Sequence, residues 1–419
     1  MAVGIPVVPL AMGRRVFQIG LAVFAAGSLL CSLAPDIHTL IAARFIQGVG
    51  GSMLNPVALS IISQVFVGRV ERARALGFWG AVVGISMALG PIVGGLLIEF
   101  VGWRAVFWIN LPICAAAIIL TAVFVPESKS TTMRDVDPIG QALAIVFLFA
   151  IVFFLIEGPN IGWMSAQAIG VLTAALTALA GFLVYESRRR DPFIDLRFFR
   201  SIPFATATVI AISTFAAWAA FIFMMSVYMQ SQLHYSPMQT GLIFLPIAVG
   251  ALVFSPLSGR LVGRYGARPS LVSAGLLITT ACVLLAAMTE ATPVWMLLTI
   301  FTVFGIGFGM VNAPVTNSAV SGMPRDRAGA ASAVTSTSRQ VGVSIGVALC
   351  GSLAGSALAV GGSDFVAAAR PLWWVCIGLG VCVTVLAITS TTSRAVRSAQ
   401  RLSPLIADAD GALEAPHAA

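Results

Sequence analysis

Two arginines interrupt otherwise apolar runs: Arg44 in LIAARFIQGVGGSMLNP and Arg339 in AASAVTSTSRQVGVSIGVALCG. Within hydrocarbon a guanidinium costs on the order of 3 kcal/mol even on the mildest insertion scale, so its presence there points to a role. Arg44, Gly48, Gly51 and Asn55 share one helical face, and Gln47 follows one turn on. The chemistry this suggests is electrostatic, with Arg44 tuning a neighbouring proton-carrying carboxylate and Gln47 assisting. Snorkelling of Arg44 to the interface is the plainer alternative, because it sits less than two turns from the start of its run at His38. The carboxylate is harder to find. All 16 acids fall in loops, in the tail or at the ends of apolar runs. Glu157, before Gly158-Pro159, is the nearest substitute, with a solvated interfacial acid as its plainer reading.

Around Arg339 the same helical face carries Ser332, Thr335, Gly342 and Gly346, with Gln340 beside it. The preceding run places Gly305, Gly309, Asn312 and Thr316 on one face and puts Pro314 and Asn317 at an expected unwinding. Polar groups in lipid must find partners, so these faces are expected to meet each other or a central cavity, with Asn55, Asn312, Asn317, Arg339 and Gln340 lining it. Trp218, Phe221, Phe223, Met224, Met225 and Tyr228 make another run aromatic and thioether-rich. Trp218, Phe221 and Met225 are therefore candidate contacts for flat hydrophobic or cationic solutes, although ordinary packing accounts for any one of them equally well. No Walker loop, catalytic triad, zinc spacing or Rossmann fingerprint occurs, so neither an enzyme nor an ATP-driven pump is supported.

Positioning these groups falls to a chain of 419 residues that is 58% hydrophobic and 10% charged, with mean hydropathy +0.98. No water-soluble core absorbs so much apolar surface. Apolar runs of about 20 residues recur without polar alternation, so the expected class is an all-α polytopic membrane protein and not a barrel. Full spans are predicted at 16–34, 38–66, 75–97, 106–125, 138–156, 165–185, 203–229, 237–258, 269–288, 293–320, 330–357 and 371–389. Residues before Arg14 are too short to span, so the chain opens on a partial helix. The six cysteines lie inside apolar runs with no metal-ligand spacing and read as small hydrophobes. The net charge of +8 comes from bases in short loops, which is a membrane-topology signal and argues against nucleic acid. Counting them puts twenty on one side, with only Arg104 and Arg370 opposite, so both visible termini are expected in the cytoplasm. Of the 24 basic residues only Lys129 is a lysine, a bias that suggests a GC-rich bacterial genome.

One run organises the rest. From Ala75 to Leu97, Gly80, Gly84, Ala88, Pro91 and Gly95 form a stripe of small residues, where a second backbone is expected to approach closely and Pro91 to permit a bend. A plain packing face would show the same stripe. Within it Gly90, Pro91, Gly94 and Gly95, with Gly80 and Gly84 before them, resemble the signature of proton-driven antiporters in the major facilitator superfamily.

Other stretches extend the resemblance. GRLVGRYGAR, with Gly259, Arg264, Gly266 and Arg268, and MGRR, with Gly13, Arg14 and Arg15, are similar to the cytoplasmic gating loops that this superfamily carries between helices two and three of each half. The usual acid of that loop is replaced by Gly263 in one copy and Leu10 in the other, which leaves the latch without its carboxylate. Arg44 with Gln47-Gly48, and the RQVG-SIGVAL stretch, look like the fourteen-span drug:proton antiporter family of the multidrug efflux type. The resemblance implies two pseudo-symmetric helical bundles with two extra central helices, and a chain here lacking its first helix. It divides the chain into an N-terminal bundle (1–125), central helices and loops (126–200), a C-terminal six-helix bundle (201–391) and a disordered tail (392–419). It further implies proton-coupled efflux of a small amphipathic drug or metabolite by alternating access in a bacterial cytoplasmic membrane, with the proton gradient as energy source and no cofactor, metal or obligatory protein partner. The alternatives are a facilitator or uptake carrier, or a truncated membrane protein that transports nothing. An upstream start supplying a helix with an intramembrane Asp or Glu is expected from the stub.

Overall fold

The computed structural model describes residues 13–65, 69–125, 137–189, 192, 194–321, 323, 328–360, 365–392, 394, 395 and 397–400. Helices account for nearly all of them: α1 (Gly13–Leu33), α2 (Ile37–Val65), α3 (Arg69–Phe100), α4 (Ala105–Trp108), α5 (Asn110–Phe124), α6 (Pro138–Ile161), α7 (Ala166–Arg188), α8 (Ile202–Val227), α9 (Pro237–Ile243), α10 (Leu245–Tyr265), α11 (Ala267–Ala286), α12 (Val294–Gly309), α13 (Asn312–Val320), α14 (Ala328–Val360) and α15 (Phe365–Thr389). Three single crossings are interrupted, α4 to α5, α9 to α10 and α12 to α13, so the expected twelve helical segments are present. Among the described residues nine segments are long and apolar enough to cross a bilayer, with mean hydropathy from 1.9 to 2.8.

The chain packs as two compact units, Met1–Ile145 with Tyr235–Leu242, and Val146–His234 with Ile243–Ala419. The division falls inside α6, and the short segment before α10 belongs with the first unit.

Within each unit, helices meet where a side chain is missing, as expected in lipid where packing drives association. In unit 1 a Cβ on Gly27 of α1 would stand 2.5 Å from the backbone nitrogen of Gln47 in α2, closer than real Cβ atoms come. In unit 2, Gly342 and Gly346 of α14 lie against the carbonyls of Ile212 and Ala216 in α8, and Gly275 and Gly380 make reciprocal contacts with Thr384 and Thr279 between α11 and α15. The interior of unit 2 is aromatic: Phe221 stacks on Phe304 at 4.3 Å and meets Phe301 edge-on at 5.0 Å. Phe221 and Met225, expected as cavity contacts, are 0% and 1% exposed. Both are withdrawn into the interior of the unit, where Met225 borders a small cavity with Tyr228 and Trp373.

Other expectations are adjusted by local chemistry. The loop-like stretch after Ser258 is helical to Tyr265, and only Gly266, at φ 80°, breaks the chain before α11. Gly is suited to that left-handed position. In the tail expected to lack structure, residues 394, 395 and 397–400 are helical, with Ala395 and Ala399 buried. Ser398 Oγ accepts the free backbone N–H of Ile202 at the start of α8 (3.0 Å), so the end of the chain caps a helix.

The α1–α2 turn carries a pH-sensitive cap. Asp36 accepts from the backbone N–H of Thr39 (2.9 Å) and from its hydroxyl (2.8 Å). These bonds, the backbone one foremost, hold its carboxyl below the ordinary value. A lowered folded-state value means the cap is fully formed above the ordinary carboxylate range and is lost as pH falls through the lowered value. Hydrogen exchange at the Thr39 amide is expected to show protection that follows this order. Asp36→Ala should remove it at every pH, and protection unchanged in that variant would disprove the cap.

Candidate functional site

Unit 1 closes its intramembrane arginine with neutral partners. Arg44 lies on α2 with its guanidinium 5.0 Å from the ring centre of Phe107, and its Nη1 donates to Gln47 Oε1 (2.9 Å). Gln47 is 4% exposed; its Nε2 donates to Ser28 Oγ on α1, which also accepts from Asn110 Nδ2 on α5 (3.2 Å). Three helices therefore share one chain of hydrogen bonds ending in a cation. Arg44 and Gln47, both expected near a proton-carrying carboxylate, are bonded to each other. Among the described residues no carboxylate reaches Arg44, and Glu157, in the other unit, accepts from Asn160 of its own helix (3.2 Å). Ser28 and Asn110 escaped the sequence reading. Asn110, the only side-chain amide between Val106 and Val125, was a signal for a buried polar partner.

Unit 2 holds Arg339 differently. Its Nη2 donates to Thr316 Oγ1 on α13 (2.8 Å), its guanidinium lies 5.8 Å from the Phe215 ring centre, and its buried Nε meets no acceptor. Trp218 is half-buried 6.2 Å from Phe215 and stacked on Phe308 at 5.6 Å, while Phe215 meets Phe308 at 5.2 Å. Asn312 is half-buried, and Asn317 and Gln340 are exposed.

The break between α12 and α13 comes at Met310 and Val311, ahead of the unwinding expected at Pro314 and Asn317. Pro314 explains it: a proline has no N–H for the carbonyl four residues back, which is that of Met310. Two buried hydroxyls take over, Ser258 of α10 and Ser270 of α11, each donating to the Met310 oxygen at 2.9 Å with 2.6 Å between them. Replacing both serines with alanine leaves that oxygen without a donor and is expected to lower stability by about 1–3 kcal/mol, measured by thermal unfolding of the protein in detergent. An unchanged melting temperature would refute this role.

Among its described positions, the small-residue stripe of α3 makes a tight contact at Pro91 and Gly95. A Cβ on Gly95 would overlap the Pro237 carbonyl oxygen, and a Cβ on Gly241 would overlap that of Pro91, so α3 and α9 touch backbone to backbone in both directions. Glu99 adds a polar clasp, accepting from Ser236 Oγ (2.6 Å) and the Met238 backbone N–H (3.1 Å) at the start of α9. Gly90 and Gly94, outside the stripe but in the signature-like run, have no atom within 4 Å of a built Cβ; the helical turn aims them away from α9. Asn55, Gly80 and Gly84 lie within α2 and α3 at positions whose surroundings are outside the described ones.

Of the gating-loop residues, Gly13 is buried at the start of α1, where Arg14 donates to the Val125 carbonyl (3.3 Å) and Arg15 is exposed. Gly259 and Arg264 lie within α10, with the Arg264 guanidinium 5.3 Å from the Tyr265 ring centre, and Gly266 and Arg268 are exposed.

A family model described as Major Facilitator Superfamily matches residues 5–347. The chain is 37% identical over 340 residues to the multidrug resistance protein Stp of Mycobacterium tuberculosis, covering 81% of this chain and 63% of that protein. It is 33% identical over 351 residues to the tetracenomycin C resistance and export protein of Streptomyces glaucescens, covering 82% and 64%. The chain thus spans less than two thirds of the length of both. Among solved structures, that of a human organic anion transporter superposes with TM-score 0.57 over 90% of this chain and 77% of the other, and a peptide transporter with TM-score 0.60 over 94% and 81%, each at 16% identity.

Proposed function

We infer a transport function from one premise: this chain belongs to the major facilitator superfamily. It works as a multi-pass membrane carrier that exports small amphipathic compounds, drugs or metabolites, by alternating access. The observation that carries this reading is the 37% identity, over 81% of the chain, to a protein described as a multidrug resistance protein. A proton gradient supplies the energy, without a cofactor or a protein partner. The protein works in a bacterial cytoplasmic membrane, and the excess of arginine in loops on one side supports an orientation with both visible termini in the cytoplasm. Arg44 and Gln47 prepare the proton-linked step, and a membrane carboxylate, for which Glu157 is the candidate, carries the proton. The Gly95–Gly241 contact is where α3 and α9 part or slide as the carrier changes state.

Everted membrane vesicles from cells producing the chain test the reading. Respiratory energisation is expected to drive ethidium into the vesicles, and an uncoupler is expected to release it. Equilibration that ignores the gradient would make the protein a facilitator, and no movement with the chain present in the membrane would overturn transport.

A further inference from the structure

We propose that Arg339, with Trp218 and Phe215, forms a docking subsite for an aromatic anion, its acidic group on the guanidinium and its ring on the aromatic pair. The geometry begins with what Arg339 lacks. A guanidinium offers five N–H donors and needs a counter-charge in low dielectric. Among the described residues it has one acceptor, the Thr316 hydroxyl, and no carboxylate. Thr316 gives its own proton to the Asn312 carbonyl (3.0 Å), so a lone pair is aimed at Arg339 but no charge is supplied.

Nε is buried with no acceptor at all. Arg44 differs, since Gln47 gives it an amide oxygen that is itself tied into a network. Arg339 lies eleven residues into α14, about 16 Å along the axis, too deep for ready solvation from the helix end. The unmet requirement is therefore an anion brought from outside. The rings say what kind. Phe215, whose ring centre is 5.8 Å from the guanidinium, and Trp218, 6.2 Å from Phe215 and tilted 58° to it, are each half-buried and each lean on Phe308, which holds the two rings in place. A flat apolar body attached to a carboxylate, sulfonate or phenolate meets both demands, with the anion able to take two parallel N–H bonds.

The cargo role rests on the export reading above, whereas binding is measured without it. The probes are naphthalene-2-carboxylate and its neutral isostere naphthalene-2-carboxamide, titrated calorimetrically into the chain in phosphatidylcholine nanodiscs. The carboxylate is expected to bind at least tenfold more tightly than the amide. Arg339→Gln should bring the two within about twofold of each other while the amide still binds, and Arg339→Lys should keep a reduced preference.

Thr316→Glu keeps the arginine but gives it an internal counter-ion, so it too should erase the preference. It decides the matter if Arg339→Gln does not fold. Equal affinities in the unmodified chain, or a preference that survives both Arg339→Gln and Thr316→Glu, would overturn the subsite. So would a preference that vanishes in phosphatidylglycerol nanodiscs, which would assign the guanidinium to a lipid headgroup. Ethidium export in vesicles separates the two claims: intact export without anion preference removes the subsite alone, and anion binding without any export removes the transport reading.

Discussion

Gly95→Leu and Gly241→Leu are each expected to bring dye export to the background rate while the protein still reaches the membrane. The reason is covalent geometry. The first atom of any side chain at Gly95 would overlap the Pro237 carbonyl, and at Gly241 that of Pro91, and a backbone oxygen cannot rotate aside as a flexible side chain can. Even Gly95→Ala should slow export several-fold, because Cβ alone makes the clash. Gly90→Leu and Gly94→Leu are the matched controls, on the same helix with nothing within 4 Å, and should export at about the unmodified rate. Export is compared at equal amounts of protein in the vesicle membrane. A Gly95→Leu variant that exports normally, or Gly94→Leu failing in its place, would show that the α3–α9 contact is not part of the transport cycle.

How well such contacts can be read from sequence depends on what fixes them. The helical segments were legible because apolar length and loop charge are local properties, and all twelve appear in the structure. The stripe on α3 was legible from its helical spacing, which includes Pro91 and Gly95 and leaves out Gly90 and Gly94; that α9 is the segment lying against it was not. On α8 the same limit applied to large residues. Phe221, Met225 and Trp218 share a composition suited to ligand contact, yet the fold gives them different surroundings: Phe221 is buried against Phe304, Met225 is buried at the edge of a small cavity, and Trp218 is half-buried next to Phe215. The bend before α13 was expected near Pro314. Its placement at Met310 follows from the carbonyl that proline cannot serve, while the two serines that serve it lie 52 and 40 residues away in sequence. Long-range acceptors of this kind carry no local signal.

The network around Gln47 yields the second large effect, and its sign depends on which partner is removed. Gln47→Leu withdraws the only oxygen that Arg44 Nη1 reaches among the described residues and takes a donor from Ser28, leaving the guanidinium with the Phe107 ring as its neighbour there. The expected cost is about 2–3 kcal/mol of stability, seen as a lower melting temperature, together with loss of export. Arg44→Leu removes the charge itself and leaves Gln47 still bonded to Ser28, so its melting temperature should fall less. The double variant Arg44→Leu/Gln47→Leu contains no stranded charge. It should therefore melt above Gln47→Leu, even though it carries one more substitution, because breaking one side of a charge-assisted pair costs more than replacing both with apolar groups. All three should fail to export if this cation serves the proton-linked step. A double variant that melts below Gln47→Leu would mean that the arginine is satisfied without Gln47, by water or by a group on another segment, and that the hydrogen-bond chain from Arg44 to Asn110 is not what holds the cation in place.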